Sequence, residues 1–459
     1  MGVCQSPRTC AGFNWSGPKG SSRGPDVRYR GQVGRSPPCF QGCNLGSDSG
    51  LYANLHELIV SDYLRVEKSQ NFFDLLSRME GTATLKSPNV FMMIRPRGFG
   101  LSLSSEALCS VLERTREFAE GTRYYSGGMK KTLSSLPHHH VISLDFKKTA
   151  SRTPQEFSDH LLDMIQELFW EHHLQGQRTS FTTPKAYFSD LITQLSERHK
   201  DKIVVLIDNY DIPFILSSMM EPRFRQQAVS IYLEMLNVIK QQNTYVQWAM
   251  LSGHIKFSLA SELSEGLPLV HDLSSAPEYD TLFGFTRDEV MGIFGEEIQN
   301  HCNTSGITTE AFLNILESCY GGFVFSDRMM KVLCPACINH VISNGFRLLP
   351  YSAGGDYAFL RQTLQECGSD LGWLYEKDGQ DPLFGNSLPL RPSGKQLGSL
   401  LIQLGFATRD RVTEHDLGGF STWRYRFCCP NKDMEATLDY ITGKAGQQDL
   451  LKELAGSQQ

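Results

Sequence analysis

The stretch of sequence that decides the fold is NVFMMIRPRGFGLSLSSEALCSVLE, residues Asn89 to Glu113. An apolar run ends at Arg95, a loop with two glycines follows, and an amphipathic helix begins near Ser102. Strand, glycine loop and helix in this order form the layout of a phosphate-binding loop, because glycine permits close backbone approach and the helix start offers free amide groups. Leu101, however, stands where such a loop has a lysine.

The composition of the chain is that of an ordinary soluble globular protein: 40% of its 459 residues are hydrophobic and 20% are charged. The formal net charge of −6 gives no global reason to expect nucleic acid or an anionic membrane as a partner. No apolar run is long enough for a membrane span or a secretory signal, so we expect a cytoplasmic protein with reduced cysteines. The start MGVCQS leaves lipid anchoring through Gly2 and Cys4 as an alternative.

Two short runs contain residue types that bind metals. They are CPAC at Cys334–Cys337 and HHH at His138–His140. A zinc site needs a second pair of ligands at a suitable spacing, and neither run has an obvious one. We therefore interpret CPAC as two cysteines of a helix and HHH as the solvated end of a loop, and neither as a metal site.

Alternating strands and helices predict an α/β core. The predicted strands are Asn89–Ile94, His140–Phe146, Lys202–Asp208 and Tyr245–Gly253. Helical segments separate them, which implies crossover connections and a parallel sheet, and near-continuous apolar strands imply helices on both faces of that sheet. The fold class predicted is an α/β parallel sheet flanked by helices.

The rest of the chain divides by composition and pattern. We expect a disordered basic Gly/Ser/Pro-rich segment at 1–50, the core at 51–290, a helical lid subdomain at 291–349, a linker or irregular segment at 350–395, a small winged-helix-like module at 396–445 and a polar tail at 446–459. The first segment lacks the apolar residues needed to offset its ordering entropy. The module at 396–445 is predicted from a helix, two strands and a helix in sequence.

The candidate site residues follow the predicted strands, because ligands of open parallel sheets bind outside the carboxyl ends of the strands. The candidate phosphate-binding residues are Arg95, Arg97, Gly98, Gly100, Leu101 and Ser102. Ser102 and Asp208 are the candidate magnesium ligands. Asp208, Asn209 and Ser252 are the candidate catalytic residues, placed to hold the metal or to reach a terminal phosphate and its attacking water. We expect the loop, Asp208 and Ser252 to converge at one edge of the sheet.

Eight motifs in order resemble those of the predicted AAA-ATPase-like proteins, many of which carry a C-terminal nuclease-like domain. They are VEKS at Val66–Ser69, RPRGFGLSLSSEAL at Arg95–Leu108, LIDNYDIPF at Leu206–Phe214, LSGHIKFS at Leu251–Ser258, LFGFTRDEV at Leu282–Val290, CYGGFVF at Cys319–Phe325, GFAT at Gly405–Thr408 and PNKDM at Pro430–Met434. The resemblance implies a P-loop NTPase-like (AAA-like) core that binds ATP and Mg²⁺.

The departures from the family pattern fall on the residues that carry its chemistry. Leu101 replaces the loop lysine, and Asn209 replaces the glutamate expected to polarise the attacking water. Gly98 replaces an arginine, and Cys319 and Gly321 replace a tryptophan and a polar residue. Only a short polar tail follows PNKDM in this sequence, so we expect no nuclease-like region. We therefore interpret the chain as a degenerate P-loop NTPase with weak ATP binding, serving as an interaction or scaffold module for an unknown protein partner.

Two alternatives remain open at this level. An active ATPase would need a displaced cation, and the candidates are Lys68, Arg95, Arg97 and Lys256, with Asp211 or Glu278 to orient water. A nucleic-acid-binding accessory protein would use basic residues of the C-terminal module. Its candidate phosphate contacts are Arg409, Arg411, Arg424, Arg426 and Lys432. The module could equally pack against the core as a lid.

Overall fold

A parallel sheet of five strands forms the centre of the computed structural model, which describes residues 69–82, 89–113, 137–149, 151–176, 183–258, 270–368, 371, 387–416 and 421–444. The strands are β1 (Asn89–Ile94), β2 (Val141–Asp145), β3 (Ile203–Asp208), β4 (Val246–Gly253) and β5 (Val270–Asp272). Their spatial order is β2-β3-β4-β1-β5. The predicted fold class is confirmed, and the three-residue β5 is the strand that the sequence pattern missed.

Strand order places a crevice at the carboxyl ends of β1 and β4. After β1 the chain runs toward the edge of the sheet formed by β2. After β4 it runs in the opposite direction, toward the edge formed by β5. Ligand sites of open parallel sheets lie where neighbouring strands send their connections in opposite directions. β1 and β4 pair from Asn89 to Ile94, with Ile94 opposite Gly253, so the loops after both strands meet at this point.

Helices cover both faces of the sheet, because its strands are apolar on both sides. They are α1 (Ser69–Thr82), α2 (Leu101–Glu113), α3 (Pro154–Glu171), α4 (Pro184–His199), α5 (Ile212–Met219) and α6 (Pro222–Gln241). At α3 the side chain of Thr153 caps the amide of Glu156, as its capping-box spacing predicts. The return bond differs from that of a capping box, in which it would come from the amide of Thr153: Glu156 accepts from the amide of Arg152.

The C-terminal half is mainly helical. Its elements are α7 (Arg287–Ser305), α8 (Thr309–Tyr320), β6 (Phe323–Val324), β7 (Lys331–Val332), α9 (Pro335–Ser343), α10 (Ala358–Cys367), α11 (Lys395–Gln403), β8 (Thr408–Asp416), β9 (Ser421–Cys428) and α12 (Lys432–Thr442). Two findings differ from the sequence-based expectations. The short pair β6 and β7 lies where no strands are expected, and α10 lies within the stretch expected to be irregular, where it buries Phe359, Leu360 and Leu364.

The described residues all belong to one compact unit, Leu45–Gln459. The predicted disordered segment, the polar tail, the Gly2 and Cys4 anchoring alternative and Lys68 lie outside the described residues. Among the described helices, none combines the length and apolarity needed to cross a membrane.

Motifs that are far apart in sequence contact one another at the edge of the sheet. A Cβ atom on Gly405 would lie 2.9 Å from Cβ of Pro96, and one on Gly322 would lie 2.3 Å from the carbonyl oxygen of Pro430. The side-chain amide of Asn431 donates through Nδ2 to the carbonyl oxygen of Gly321 at 2.7 Å. These motifs therefore hold the C-terminal half against the loop after β1.

Asp433 is the buried acid of this contact region. Its carboxylate accepts bonds from the amides of Tyr351 at 2.9 Å and Ser352 at 3.1 Å. Burial nevertheless dominates, and it raises the pKa of Asp433 from 3.8 to about 6. Because the folded state holds this proton more tightly than the unfolded state, stability contributed here is lost as pH rises from about 4 to about 6.

A pH titration of Asp433→Asn tests this linkage. Between pH 4 and pH 7 we expect the wild type to lose about 2 kcal/mol of unfolding free energy relative to the variant, at about 1.4 kcal/mol per pKa unit and with the unfolded carboxyl already partly ionised at pH 4. Urea unfolding at several pH values measures the difference. Glu435→Gln on the same helix is the control, because its carboxylate is exposed. A constant difference between wild type and Asp433→Asn across this range would contradict the assignment.

Candidate nucleotide-binding site

The loop after β1 has the backbone of a phosphate-binding loop. Gly98 and Gly100 adopt left-handed conformations, with φ of 83° and 76°, which side chains disfavour. The amide of Ser104 donates to the carbonyl oxygen of Gly100 at 3.0 Å, so α2 starts directly after the loop. The preceding amides of the first turn have no acceptor within the helix and give it an anion-attracting end.

Asp208 lies at the centre of the polar cluster at this edge. Its carboxylate accepts a bond from the Ser252 hydroxyl at 2.7 Å and another from the Ser102 hydroxyl. Burial raises the pKa of Asp208, while the two serine bonds oppose that rise. The structure therefore brings together Ser102, Asp208 and Ser252, three of the residues that the sequence placed at one site.

Asn209 links two carboxylates. Its Nδ2 donates to Asp208 at 2.9 Å and to Asp145 at 2.8 Å. The residue has a φ of 53°, a left-handed conformation that asparagine tolerates better than most side chains. An amide that donates both of its protons to carboxylates cannot act as a base toward water.

Leu101 is part of the hydrophobic core. It is the first residue of α2, it is 5% exposed, and it packs in the cluster that includes the apolar residues of β1. The position that holds the phosphate lysine in a P-loop is thus occupied by a side chain that faces apolar surroundings. A lysine there would have to bring its ammonium group out of this environment or be buried at a high cost.

Arg95 is placed differently from the phosphate-binding role predicted for it. Its side chain is fully buried, and its guanidinium donates to the carbonyl oxygens of Ile94 at 2.8 Å, Ser274 at 2.8 Å and Tyr279 at 2.9 Å. It also lies 4.3 Å from the ring centroid of Phe325. Burial lowers the pKa of Arg95 to about 9, so the group is charged at neutral pH. These contacts join β1 to the segment after β5 and leave the guanidinium no path to a phosphate.

The other proposed substitutes for the missing lysine and glutamate are also engaged elsewhere or exposed. Lys256 pairs with Asp272 at 2.6 Å. Asp211 accepts the amides of His254 and Ile255 at 2.9 Å each, which fixes the turn after β4. Glu278 is 62% exposed and lies 3.6 Å from Arg78, and Arg97 is half-buried in the loop.

The sequence reasoning missed the end of β2. Asp145 pairs in register with Asp208, because β2 and β3 are neighbours. Two residues later Lys147 places its Nζ 3.3 Å from the Ser102 hydroxyl. Glu106 of α2 joins the group: its pKa is raised by burial and then by the charges of Asp208 and Asp145. The signal was present in the sequence, since Asp145 is the last residue but one of the predicted strand His140–Phe146.

The oxygen donors at this edge suit a magnesium ion that is shared with a nucleotide. Mg²⁺ is commonly bound through one or two protein oxygens together with phosphates and waters. Ser102 and Asp208 provide a hydroxyl and a carboxylate, and the Ser102 hydroxyl opposes the rise in the pKa of Asp208. No cluster of three or more His, Cys, Asp or Glu in the described part of the chain is arranged to hold a metal by itself. A bound Mg²⁺ would therefore rest on Ser102, Asp208 and the phosphates.

The basic residues considered for nucleic-acid binding are partly used within the hairpin. Arg409 is 5% exposed, lies 3.6 Å from the Asp327 carboxylate and contacts the Tyr425 ring at 5.7 Å. Arg426 pairs with Asp410 across β8 and β9. The remaining three candidates, Arg411, Arg424 and Lys432, are exposed or half-buried.

The fold and the polar strand ends define a P-loop NTPase-like α/β protein. Comparison with known families confirms the resemblance: residues 53–262 match the family described as Predicted AAA-ATPase. An uncharacterized protein in the vnfD 5′ region of Azotobacter chroococcum mcd 1 is 27% identical over 237 residues, which cover 52% of this chain and 42% of that protein. The chain thus spans less than half the length of this relative.

Two solved structures are similar over most of the chain. A structure of Drosophila ORC bound to GC-rich DNA and Cdc6 matches 83% of this chain and 54% of that one, with 12% identity and a TM-score of 0.30. The Aeropyrum pernix ORC1 protein in complex with DNA matches 86% of this chain and 94% of that one, with 11% identity and a TM-score of 0.24. The fold class is assigned from the five-stranded parallel sheet and not from these two similarities.

Replacing Arg95 tests whether it serves packing or phosphate binding. Arg95→Met removes the donor of three buried carbonyl oxygens, of which that of Tyr279 keeps a bond from the Leu282 amide, and each group left unsatisfied costs about 1–3 kcal/mol. We expect a loss of about 3 kcal/mol or more in the free energy of urea unfolding. Arg97→Met in the same loop is the matched control and should change stability by less than about 0.5 kcal/mol. Unchanged stability of Arg95→Met, together with weaker ATP binding, would restore the phosphate role.

Proposed function

We propose that this chain is an AAA-ATPase-like module that binds nucleotide weakly, hydrolyses ATP poorly or not at all, and acts as an interaction or scaffold protein. The observation that carries the proposal is the pair of Leu101 and Asn209. Leu101 is packed in the core at the lysine position, and the Asn209 amide is held between two carboxylates at the position of the water-polarising glutamate. The parallel sheet and the polar cluster of Ser102, Asp208 and Ser252 are otherwise present.

The size of the lost interactions supports impaired chemistry. A lysine-to-phosphate hydrogen bond is charge-assisted and contributes about 1.5–3 kcal/mol, or about 10- to 150-fold in affinity. The same charge stabilises the transferring phosphoryl group, so its loss also slows turnover. The intact apolar strands and the kept contacts of Asp208 favour continued use of the fold for binding.

Hydrolysis by the purified chain is the direct test. We expect no magnesium-dependent phosphate release above background, and Asp208→Ala should leave that background unchanged because there is no turnover to lose. Robust hydrolysis by the wild type that Asp208→Ala abolishes would overturn the proposal and favour an active ATPase with a displaced cation.

The double variant Leu101→Lys with Asn209→Glu tests what the two positions have lost. We expect ATP affinity to rise about 10-fold or more, provided that the variant folds. Two costs make the folding check necessary: the lysine enters an apolar site, and the glutamate adds a fourth carboxylate to those of Glu106, Asp145 and Asp208, at a residue with φ of 53°. Circular dichroism and urea unfolding supply that check before any titration with ATP and Mg²⁺.

A nucleic-acid-binding role is a second candidate with less support. Arg411, Arg424 and Lys432 are the candidate phosphate contacts that are exposed or half-buried, whereas Arg409 is buried and Arg426 pairs with Asp410. The charge of −6 gives this role no global electrostatic help. Salt-dependent binding of single- or double-stranded DNA would favour it over the scaffold role.

A further inference from the structure

We propose that Lys147 takes the place of the missing loop lysine and binds the phosphates of a magnesium-bound nucleoside triphosphate. The inference rests on the proposed function, since it assigns the cation of the same site. Its basis is one contact: the Lys147 ammonium lies 3.3 Å from the hydroxyl of Ser102, the residue that directly follows the lysine position in the loop. A positive charge thus reaches the loop from the neighbouring strand end.

The backbone that carries Lys147 is firmly anchored. Phe146 before it is fully buried and packs edge-on against Tyr232, with ring centroids 5.0 Å apart. Thr149 bonds to the Phe146 carbonyl through both its amide and its hydroxyl. The amide of Lys147 itself donates to Asp145 at 3.0 Å. The side chain, by contrast, is exposed, so it can exchange Ser102 for a ligand without unfolding the turn.

Asp145 and Asn209 connect this anchor to the magnesium side of the cluster. The oxygen of Asp145 that accepts the Lys147 amide also accepts the side-chain amide of Asn209, which in turn donates to Asp208. A fixed set of bonds therefore sets the position of Lys147 relative to Asp208. The asparagine that replaces the family's glutamate takes part in holding the substitute cation.

Other cationic side chains near the site could in principle bind the phosphates in place of Lys147. Arg95 is buried on three carbonyls, and Lys256 is paired with Asp272. Arg97 is half-buried in the loop, and it is the described residue that we test as an alternative phosphate ligand. Three carboxylates, Glu106, Asp145 and Asp208, surround Lys147, so a polyphosphate needs Mg²⁺ to offset their repulsion.

The alternative role for Lys147 is that of a counter-ion that only balances these carboxylates. A counter-ion would affect stability without distinguishing nucleotides by their number of phosphates. A phosphate-binding lysine gives ATP an advantage over AMP, and that advantage disappears with the ammonium group. The ratio of the two affinities therefore separates the roles.

The experiment is calorimetric titration of the full chain with ATP and Mg²⁺, and with AMP. We expect Lys147→Met to weaken ATP binding by about 10- to 150-fold and to remove most of the preference for ATP over AMP. Lys147→Arg should retain part of the binding. Lys202→Met is the matched control: it is the same substitution directly before β3, at the end of that strand opposite to Asp208 and about 20 Å from Asp208 at roughly 3.3 Å per residue. EDTA should abolish binding to the wild type.

The outcomes separate this inference from the proposed function. If wild type and Lys147→Met bind ATP equally, or if Arg97→Met alone loses binding, the assignment of Lys147 is overturned while weak nucleotide binding stands. A folded wild type that binds no ATP overturns both. Equal losses of ATP and AMP affinity in Lys147→Met, with reduced stability, identify a counter-ion and overturn the assignment. Rapid hydrolysis with loss of ATP binding in Lys147→Met supports Lys147 and overturns the impaired-ATPase proposal.

Discussion

The buried guanidinium of Arg95 is the interaction on which the rest of the structure depends. It joins the end of β1 to two carbonyl oxygens of the chain after β5, and its charge lies against the face of Phe325. Hydrogen bonds from a charged donor are stronger than neutral ones, and an arginine fork can satisfy several acceptors at once. The sheet edge, the segment after β5 and the C-terminal half thereby share one anchor, which lies directly before the glycine loop.

Side chains of the loop are used for packing, while its backbone keeps the shape of an anion-binding turn. Phe99 packs edge-on against Phe323 and Phe325, and Leu101 enters the core. The positive charge that this loop lacks is supplied, in our proposal, from the end of β2. Charge and backbone thus come from different strands, which is feasible because parallel strands end at a common edge.

The sequence was sufficient for the elements whose signal is local. Four strands followed from apolar runs, and the helices between them followed from the alternation of strands and helical segments. The three-residue β5 and α10 escaped because their signals are short or lie among loop-forming residues. The role of Arg95 could not be predicted from its neighbours in the sequence either. An arginine after a strand can face a ligand or the interior, and here the carbonyl oxygens that hold it inside lie about 180 residues away. The position of Lys147 beside the loop could not be predicted either, because the sequence does not show that β2 pairs with β3.

One contact of the loop links the two halves of the chain energetically. The amide of Ala336, in the first turn of α9, donates to the carbonyl oxygen of Gly98 at 3.1 Å, and a Cβ on Gly98 would lie 2.7 Å from Sγ of Cys334. The loop therefore cannot widen around an anion unless α9 moves with it. Linkage then works in both directions: whatever displaces α9 changes the anion affinity of the loop, and an anion in the loop changes the surface that α9 presents by the same free energy.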